Sequence, residues 1–519
     1  MKVKTYTHKE QDEKVFETKL TGNKETFHLN IKVVKDGNVV HEERGNSFVA
    51  NFMRMLAQSM AIGPIDESLD FDELIQPGST KMEAWTWAAL LLNNNGAPDT
   101  SAWPEPVTVT GWQDGNRVNV TYSTTTLNRS FPLQQSHYLY IPRGQNQGVY
   151  PITSAPSQAY VLDGLNADPS DDVGMLVIPV LPYNPQMGTN TPHLRAWKVL
   201  LGGDDTPVSL NDKWLLAHYD NDEMTPSGPI AVSPPVIADG VSRIAMSTTF
   251  TNNSGVEKTI REIGLLLRLS LHHTATSESI TRNGYLTRDG NLSTWGSYTA
   301  LSLGARDVVT PIPIQPSETF SIIYEIITSV AQDKSSGIME NFNELLYRQL
   351  ASNARTSRNY LNEQVSAGVA RQQLLVPEND NRSFGATVPY HRYNQAYFGI
   401  LLGHAEGDVD ADDYFLRDNE NPPNDVMIPF GTSTGCLVYH STRYVDFELT
   451  ATTCYLVFER LVENKSGAAI TVKQIGFSVA AAGNMDNPTL ISRKNLGLND
   501  FTIADGEKYR VRFKFGIEI

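Results

Sequence analysis

Asn252-Asn-Ser-Gly-Val-Glu-Lys-Thr-Ile-Arg-Glu-Ile-Gly264 aligns without a gap on Asn464-Lys-Ser-Gly-Ala-Ala-Ile-Thr-Val-Lys-Gln-Ile-Gly476, with six identities in thirteen positions. Self-similarity of this kind governs how the rest of a chain is read, because it makes one structural unit recur. Working outward, Leu200, Leu201, Gly202, Val208, Asp212 and Leu215 return as Leu401, Leu402, Gly403, Val409, Asp413 and Leu416, at an offset of 201. Downstream, Ile314, Glu318, Phe320, Ile322, Tyr324 and Ile326 correspond to Ile503, Glu507, Tyr509, Val511, Phe513 and Phe515, and Glu25 and Phe27 give a third echo of the same closing strand. Phe48, Arg54, Leu56 and Ala57 match Phe342, Arg348, Leu350 and Ala351 at an offset of 294, so a helix precedes each unit and a longer excursion separates the two in the first half.

The expected organisation is therefore a strand and helix over 1–61, a β-rich insertion over 62–190, a first β-sandwich module over 191–330, a helix and extended loop over 331–390, and a second β-sandwich module over 391–519. The fold class is mainly β with some α: tandemly duplicated antiparallel β-sandwich modules, each preceded by an amphipathic helix, with a β-rich insertion in the first copy. Ile244, Met246, Thr248 and Phe250 alternate before the Asn252 turn and Ile263, Leu265 and Leu267 after it, which reads as a half-buried hairpin. Gly264 and Gly476 inside strands mark a bulge or close approach. Phe48, Val49, Phe52, Met55, Leu56 and Met60 fall at helical spacing within 46–61, with Asn46 or Ser47 as N-cap. The second helix is expected from Met339 to Gln364, turning polar over 352–358.

Composition bounds the function classes. The 519 residues carry 42 Lys+Arg and 58 Asp+Glu, a net charge of −16, and there is no cluster of five basic residues to follow a nucleic-acid backbone. An N-terminus without an apolar stretch, and no apolar run of about 18 residues, give no signal peptide or membrane span. Cys436 and Cys454 are read as buried free thiols.

The motifs that could carry chemistry are weak. Gly431-Thr-Ser-Thr-Gly435 matches the nucleophile-elbow pattern around Ser433, but strand-like residues on both sides make it a polar turn. Asp408, Asp410 and Asp412 have the spacing of a calcium loop, yet Asp413 stands where glycine is needed and Asn419 where a bidentate glutamate is needed, so the stretch reads as a solvated acidic loop. His272-His273 lacks the spacing of a helical zinc site, and the sequons at Asn119 and Asn291 have no secretory context. Neither phosphate-binding glycine pattern occurs. No catalytic residue, cofactor or metal is expected.

The segment from Leu201 to Leu215, followed by Asn252 to Leu265 and preceded by Asn46, Ser47, Phe48, Phe52 and Leu56, resembles virion proteins of tailed bacteriophages, including those of crAss-like and other short-tailed phages. The likeness covers the helix and module of the first half and, more loosely, the second half, which departs at His404-Ala-Glu-Gly-Asp408. It implies a virion protein made in the host bacterial cytoplasm: a structural subunit of the neck, collar or tail, forming a homo-oligomeric ring and touching other virion proteins. It implies no catalytic residues and no specific nucleic-acid binding, although packaged DNA would lie close by. The alternative is a receptor- or glycan-binding fibre or spike, with Trp85, Trp103, Trp112 and Trp295 available to stack on sugars. A depolymerase comes third.

Overall fold

The computed structural model describes residues 14–22, 27–45, single positions between 48 and 56, the strands within 86–180, 193–272 and 297–329 with short gaps, 336–351, the strands of 360–374, 399–406, isolated positions from 416 to 431, 434–480 and 488–518, again with single gaps. These residues make a mainly β protein of several sheets, with thirty strands and one α-helix, α1 (Glu340–Leu350), among them.

In the first half two sheets face each other. One has β16 (Val241–Asn252), β19 (Thr319–Ser329), β2 (Phe27–Lys35) and β3 (Asn38–Gly45) in that order, with the short β13 (Met224–Pro226), β14 (Ala231–Val232) and β15 (Val236–Ala238) on the far side of β16. The other runs from β12 (His193–Gly202) to β17 (Lys258–His272) and β18 (Ser297–Ile314), then continues through β4 (Thr86–Ala89) into the strands β5 to β11 that lie between Val107 and Val180. The stretch expected to be an insertion is thus β-rich, and its sheet is hydrogen-bonded to the first half where Leu301 meets Ala89.

The second half holds two four-stranded sheets. β24 (Leu437–Leu449), β25 (Thr453–Asn464), β30 (Lys508–Glu518) and β1 (Lys14–Gly22) form one sheet; β23 (Gly399–Gly403), β27 (Gln474–Ala480), β28 (Pro488–Asn495) and β20 (Ser336–Ile338) form the other. β26 (Ile470–Val472) pairs with β29 (Phe501–Ile503), and β21 (Tyr360–Ser366) with β22 (Val369–Leu374). Alternation explains the burial. Along β16 the side chains of Ile244, Met246, Thr248 and Phe250 are buried while their neighbours face outward, as a strand with one covered face requires. Facing sheets meet through Tyr324, whose hydroxyl reaches the Ile263 carbonyl at 3.3 Å, and through the Phe458, Phe477 and Phe513 rings, with successive centroids 4.4 and 5.9 Å apart. Phe342 on α1 stands between the halves, 6.5 Å from Phe27 and 5.7 Å from Phe515.

Four expectations change. The Asn252 turn does not close a hairpin: β16 pairs with β19, and β17 with β12 and β18, so the turn carries the chain from one sheet to its facing sheet. Alternation alone cannot distinguish the two, because both leave one face of each strand covered. The pairing is not wholly antiparallel, since β1 lies parallel to β30 and thereby joins the last strands of the chain rather than the first half. The second helix stops at Leu350; Ala351 is extended, its N–H returning to Tyr347, and Tyr360–Ser366 is a strand where helix was expected.

The helix offset changes as well. Phe48 bridges Ala305, Val49 N–H donates to Gly304, and Phe52 N–H donates to Val49. Correspondingly, Ile338 pairs with Ser492, Met339 N–H donates to Ile491, and Phe342 N–H donates to Met339. Phe52 therefore stands where Phe342 does, at an offset of 290 and not 294. The difference is about one helical turn, which preserves the hydrophobic phase and so deceives a pattern match. Phe52, Met53 and Leu56 are helical and buried; the remainder of the expected first helix lies outside the described residues.

Gly264 and Gly476 are required by side-chain packing. A Cβ on Gly264 would stand 2.8 Å from Leu215 and 3.0 Å from Leu303; one on Gly476 would stand 2.7 Å from Leu416 and 2.9 Å from Leu490. Gly264→Ala and Gly476→Ala should each cost ~1–3 kcal/mol of unfolding free energy. Adding Leu215→Ala to the first, or Leu416→Ala to the second, should make the pair less damaging than the sum of its single changes, as measured by urea denaturation.

Candidate assembly surface

The two crossover turns share most of their hydrogen bonds. Asn252 is buried, and its Nδ2 donates to the carbonyls of Val256 at 2.8 Å and Ile314 at 2.9 Å, while its Oδ1 accepts from Ser254 N–H and Oγ. Asn464 does the same with Ala468 at 2.7 Å, Ile503 at 2.8 Å and Ser466. Gly255 and Gly467 follow at φ +75° and +79°, where a side chain would be strained. Below each turn a glutamate at the start of the closing strand binds a lysine from the next strand: Glu318 with Lys35 at 2.8 Å, Glu507 with Lys14. At Glu507 the Lys14 hydrogen bond first, then the Ala504 N–H, draws the carboxyl below its usual range; at Glu318 burial is the largest influence and pushes up, but Lys35 and the Gln315 N–H outweigh it and the carboxyl also ends lowered. The lysines come from strands running in opposite directions, since β2 is antiparallel to β19 and β1 parallel to β30.

Arg306 and Arg493 occupy the same register position, opposite Gly264 and Gly476, and both are fully buried. Arg306 donates through Nε to Glu262 at 2.8 Å, through Nη1 to Asp212 at 3.0 Å, and through Nη2 to the Thr206 carbonyl at 3.0 Å. Glu262 also accepts the N–H groups of Leu216 and Ala217. This network staples the 203–219 loop onto the sheet; Asp413, the match of Asp212 in the alignment, lies outside the described residues. In the second half Gln474 replaces Glu262 and donates to Asn495 at 2.7 Å. Reading charge as a surface property hides these arginines; their signal is a charged residue in an otherwise apolar strand. Arg460, also fully buried, donates to the carbonyls of His440 and Ile400 and lies 4.8 Å from the Tyr439 ring, and burial pushes it down to about 10.

Most of the residues singled out in the sequence for chemistry fall outside the described residues. Among the described residues no group of three His, Cys, Asp or Glu side chains could hold a metal ion. Asp408, Asp410, Asp412, Asn419, Ser433, His273, Asn291, Trp85, Trp103 and Trp295 lie outside the described residues. Gly435 is in a turn leading into β24, Asn119 and Trp112 lie in strands, and His272 ends β17. Cys436 and Cys454 are buried and free. No helix among the described residues is long and apolar enough to cross a membrane.

What the fold does present is sheet edge. Along the β13–β15 side the pairing is broken into pieces of two or three residues, interrupted by Pro229, Pro234 and Pro235, which blunts strand addition. β3 is different: eight residues without proline, at the end of its sheet, with Val39 and Val40 each about half exposed. β1 ends the other large sheet. Searched against family models, curated proteins and solved structures, the chain matches none.

Removing Arg306 strands two buried carboxylates, so Arg306→Met should cost ~3–5 kcal/mol, and Arg306→Met with Glu262→Gln should recover part of that loss in urea denaturation. A second test concerns Lys198 beside the β12 bulge, which burial lowers to about 7. Between about pH 7 and the ordinary lysine value of ~10.4 the unfolded chain binds a proton that the folded chain does not, so stability rises with pH across that window. Lys198→Met should flatten this rise and add ~1–2 kcal/mol at pH 7, after allowance for solvent screening.

Proposed function

We propose that the chain is a tandem duplication of one β-sandwich module and serves as a structural subunit of a tailed-phage virion, assembling as a ring of identical copies in the neck, collar or tail. The observation that carries the duplication is the pair of crossover turns: a buried asparagine with the same donors and acceptors, followed by a left-handed glycine and a lysine-bound glutamate, in both halves. Turn chemistry of that detail does not arise from core packing alone. A role in assembly draws its support from where the molecule is rigid and where it is open. Ionisable groups are spent on stapling loops and strands, while two long sheet edges are left at the ends of the large sheets. The virion assignment rests on the sequence resemblance.

Such a subunit works by geometry and not by turnover. Rigid facing sheets hold an edge at a fixed angle, and a fixed angle between unlike surfaces of identical copies closes a ring when the rotation divides the circle. Light scattering with negative-stain imaging of the purified chain across a range of concentrations checks this. The expected result is a cyclic oligomer of one size. An elongated trimer would favour the fibre reading, and a monomer at every concentration would contradict self-assembly.

A further inference from the structure

β1 and β2 are neighbours in sequence and yet serve different halves. Among the described residues β1 ends at Gly22 and pairs with β30 alone, in the second half, whereas β2 begins at Phe27 and pairs with β19 and β3, in the first. The 23–26 segment therefore runs from one half to the other. The contacts that seat β1 come from far downstream. Its register runs from Lys14 on Tyr509 to Gly22 on Ile517, and the Phe16 ring stacks on Phe501 with centroids 4.1 Å apart. Glu17 binds Lys514 at 3.1 Å, the Lys19 carbonyl accepts Lys494 Nζ at 2.6 Å, and Lys14 binds Glu507. The Lys19 ammonium stands 5.7 Å from the Tyr455 ring centroid. In this position Phe16, Thr18 and Leu20 are buried.

We propose that β1 is a clasp that closes after both halves have folded and, once closed, commits the chain to assembly. The inference rests on the assembly reading above and adds the step that controls it. The slot for β1 does not exist until β25, β29 and β30 are in place, since Tyr455, Phe501 and the register partners belong to those strands. Lys14 and Glu507 are also 493 residues apart, and the entropy lost in closing a loop rises with its length, so this pairing waits for the sheets between to shorten the path. Standing at a sheet end with one neighbour, β1 can leave while β30 keeps its ladder to β25. Closure ties β2 to β30 through 23–26, which fixes the halves relative to each other and so the angle that a ring requires. It also covers Phe501 and the outer edge of β30, which an open clasp would leave as a template for wrong pairing.

The test uses the full-length chain. In refolding from urea followed by pulsed hydrogen exchange, the amides of β16, β19 and β25 should gain protection first and those of β1 last. Protection of β1 as early as that of β19 would overturn the clasp, and this readout does not depend on assembly. Commitment is tested separately. Phe16→Asp sets a charge against Phe501; it should free the β1 amides, leave those of β25 protected, and raise the concentration for half-assembly by ~10-fold or more. Glu17→Cys and Arg512→Cys, added to that chain, place thiols at register partners on adjacent strands, within disulfide reach, while Cys436 and Cys454 are buried. Oxidation should restore assembly, and reduction should abolish it again. Free β1 amides with assembly unchanged, or an oxidised clasp that fails to restore it, would overturn the proposal. A wild-type chain that is monomeric at every concentration would overturn the assembly reading and the commitment step together, and the order of protection would still decide whether β1 closes last.

Discussion

A strand that leaves one sheet and enters the sheet facing it must bend across the end of the core, and the carbonyls buried beneath the bend cannot be left without donors. Asn252 and Asn464 answer that constraint. Each sits at the last position of a strand, fully buried, and one side-chain amide satisfies carbonyls on both the turn and the end of the strand that precedes the closing one. The backbone completes the tie: Asn252 N–H donates to Glu318 and receives Ser317 N–H, and Asn464 N–H donates to Glu507 and receives Gly506 N–H. The start of each closing strand is thereby fixed before its own ladder begins. The register of β19 on β16, and of β30 on β25, follows from these bonds, and with it the face that Phe320, Tyr324, Phe513 and Phe515 turn to the core.

On that shared skeleton the two halves diverge where charge is buried. Glu262 gives way to Gln474, Tyr324 to Phe513, and Asp307 to Lys494, whose Nζ donates to the Lys19 carbonyl at 2.6 Å. The Tyr324 hydroxyl and Asp307 carboxylate form a buried pair in the first half, and burial first, then the neighbouring carboxylate, holds the tyrosine proton on well above its ordinary value. Tyr324 and Asp307 are exchanged together for Phe513 and Lys494, so neither member of the buried pair is left behind. The strand beside the closing strand also reverses direction, from β2 to β1, yet keeps a lysine at the same glutamate. Halves alike in frame and unlike in edge are what a head-to-tail contact between identical copies needs.

Much of this frame was legible in the sequence. The Asn-x-Ser-Gly recurrence located both crossovers, and alternation in β16 and β30 identified their buried faces. Gly264 and Gly476 were rightly marked as close approaches, although the approaching groups are leucine side chains. The misreadings share a physical origin. A turn between facing sheets and a hairpin turn bury the same residues, a helix displaced by one turn keeps its apolar stripe, and a terminal strand gives no sign of whether it will pair in parallel or antiparallel fashion. Arg306, Arg460 and Arg493 were invisible because their partners are distant in sequence: Glu262 and Asp212 in one case, backbone carbonyls in another.

The most direct measurement is hydrogen exchange on the full-length chain carrying Asn464→Ala. Loss of its amide takes one donor from each of the Ala468 and Ile503 carbonyls and the acceptor from the Ser466 N–H, a cost of ~2–4 kcal/mol. The account predicts that amide protection falls in β25, β26, β29 and the start of β30, while β16, β17 and β19, tied by Asn252, keep theirs. Protection unchanged in the second half, or lost equally in both, would contradict the claim that each crossover asparagine closes its own unit.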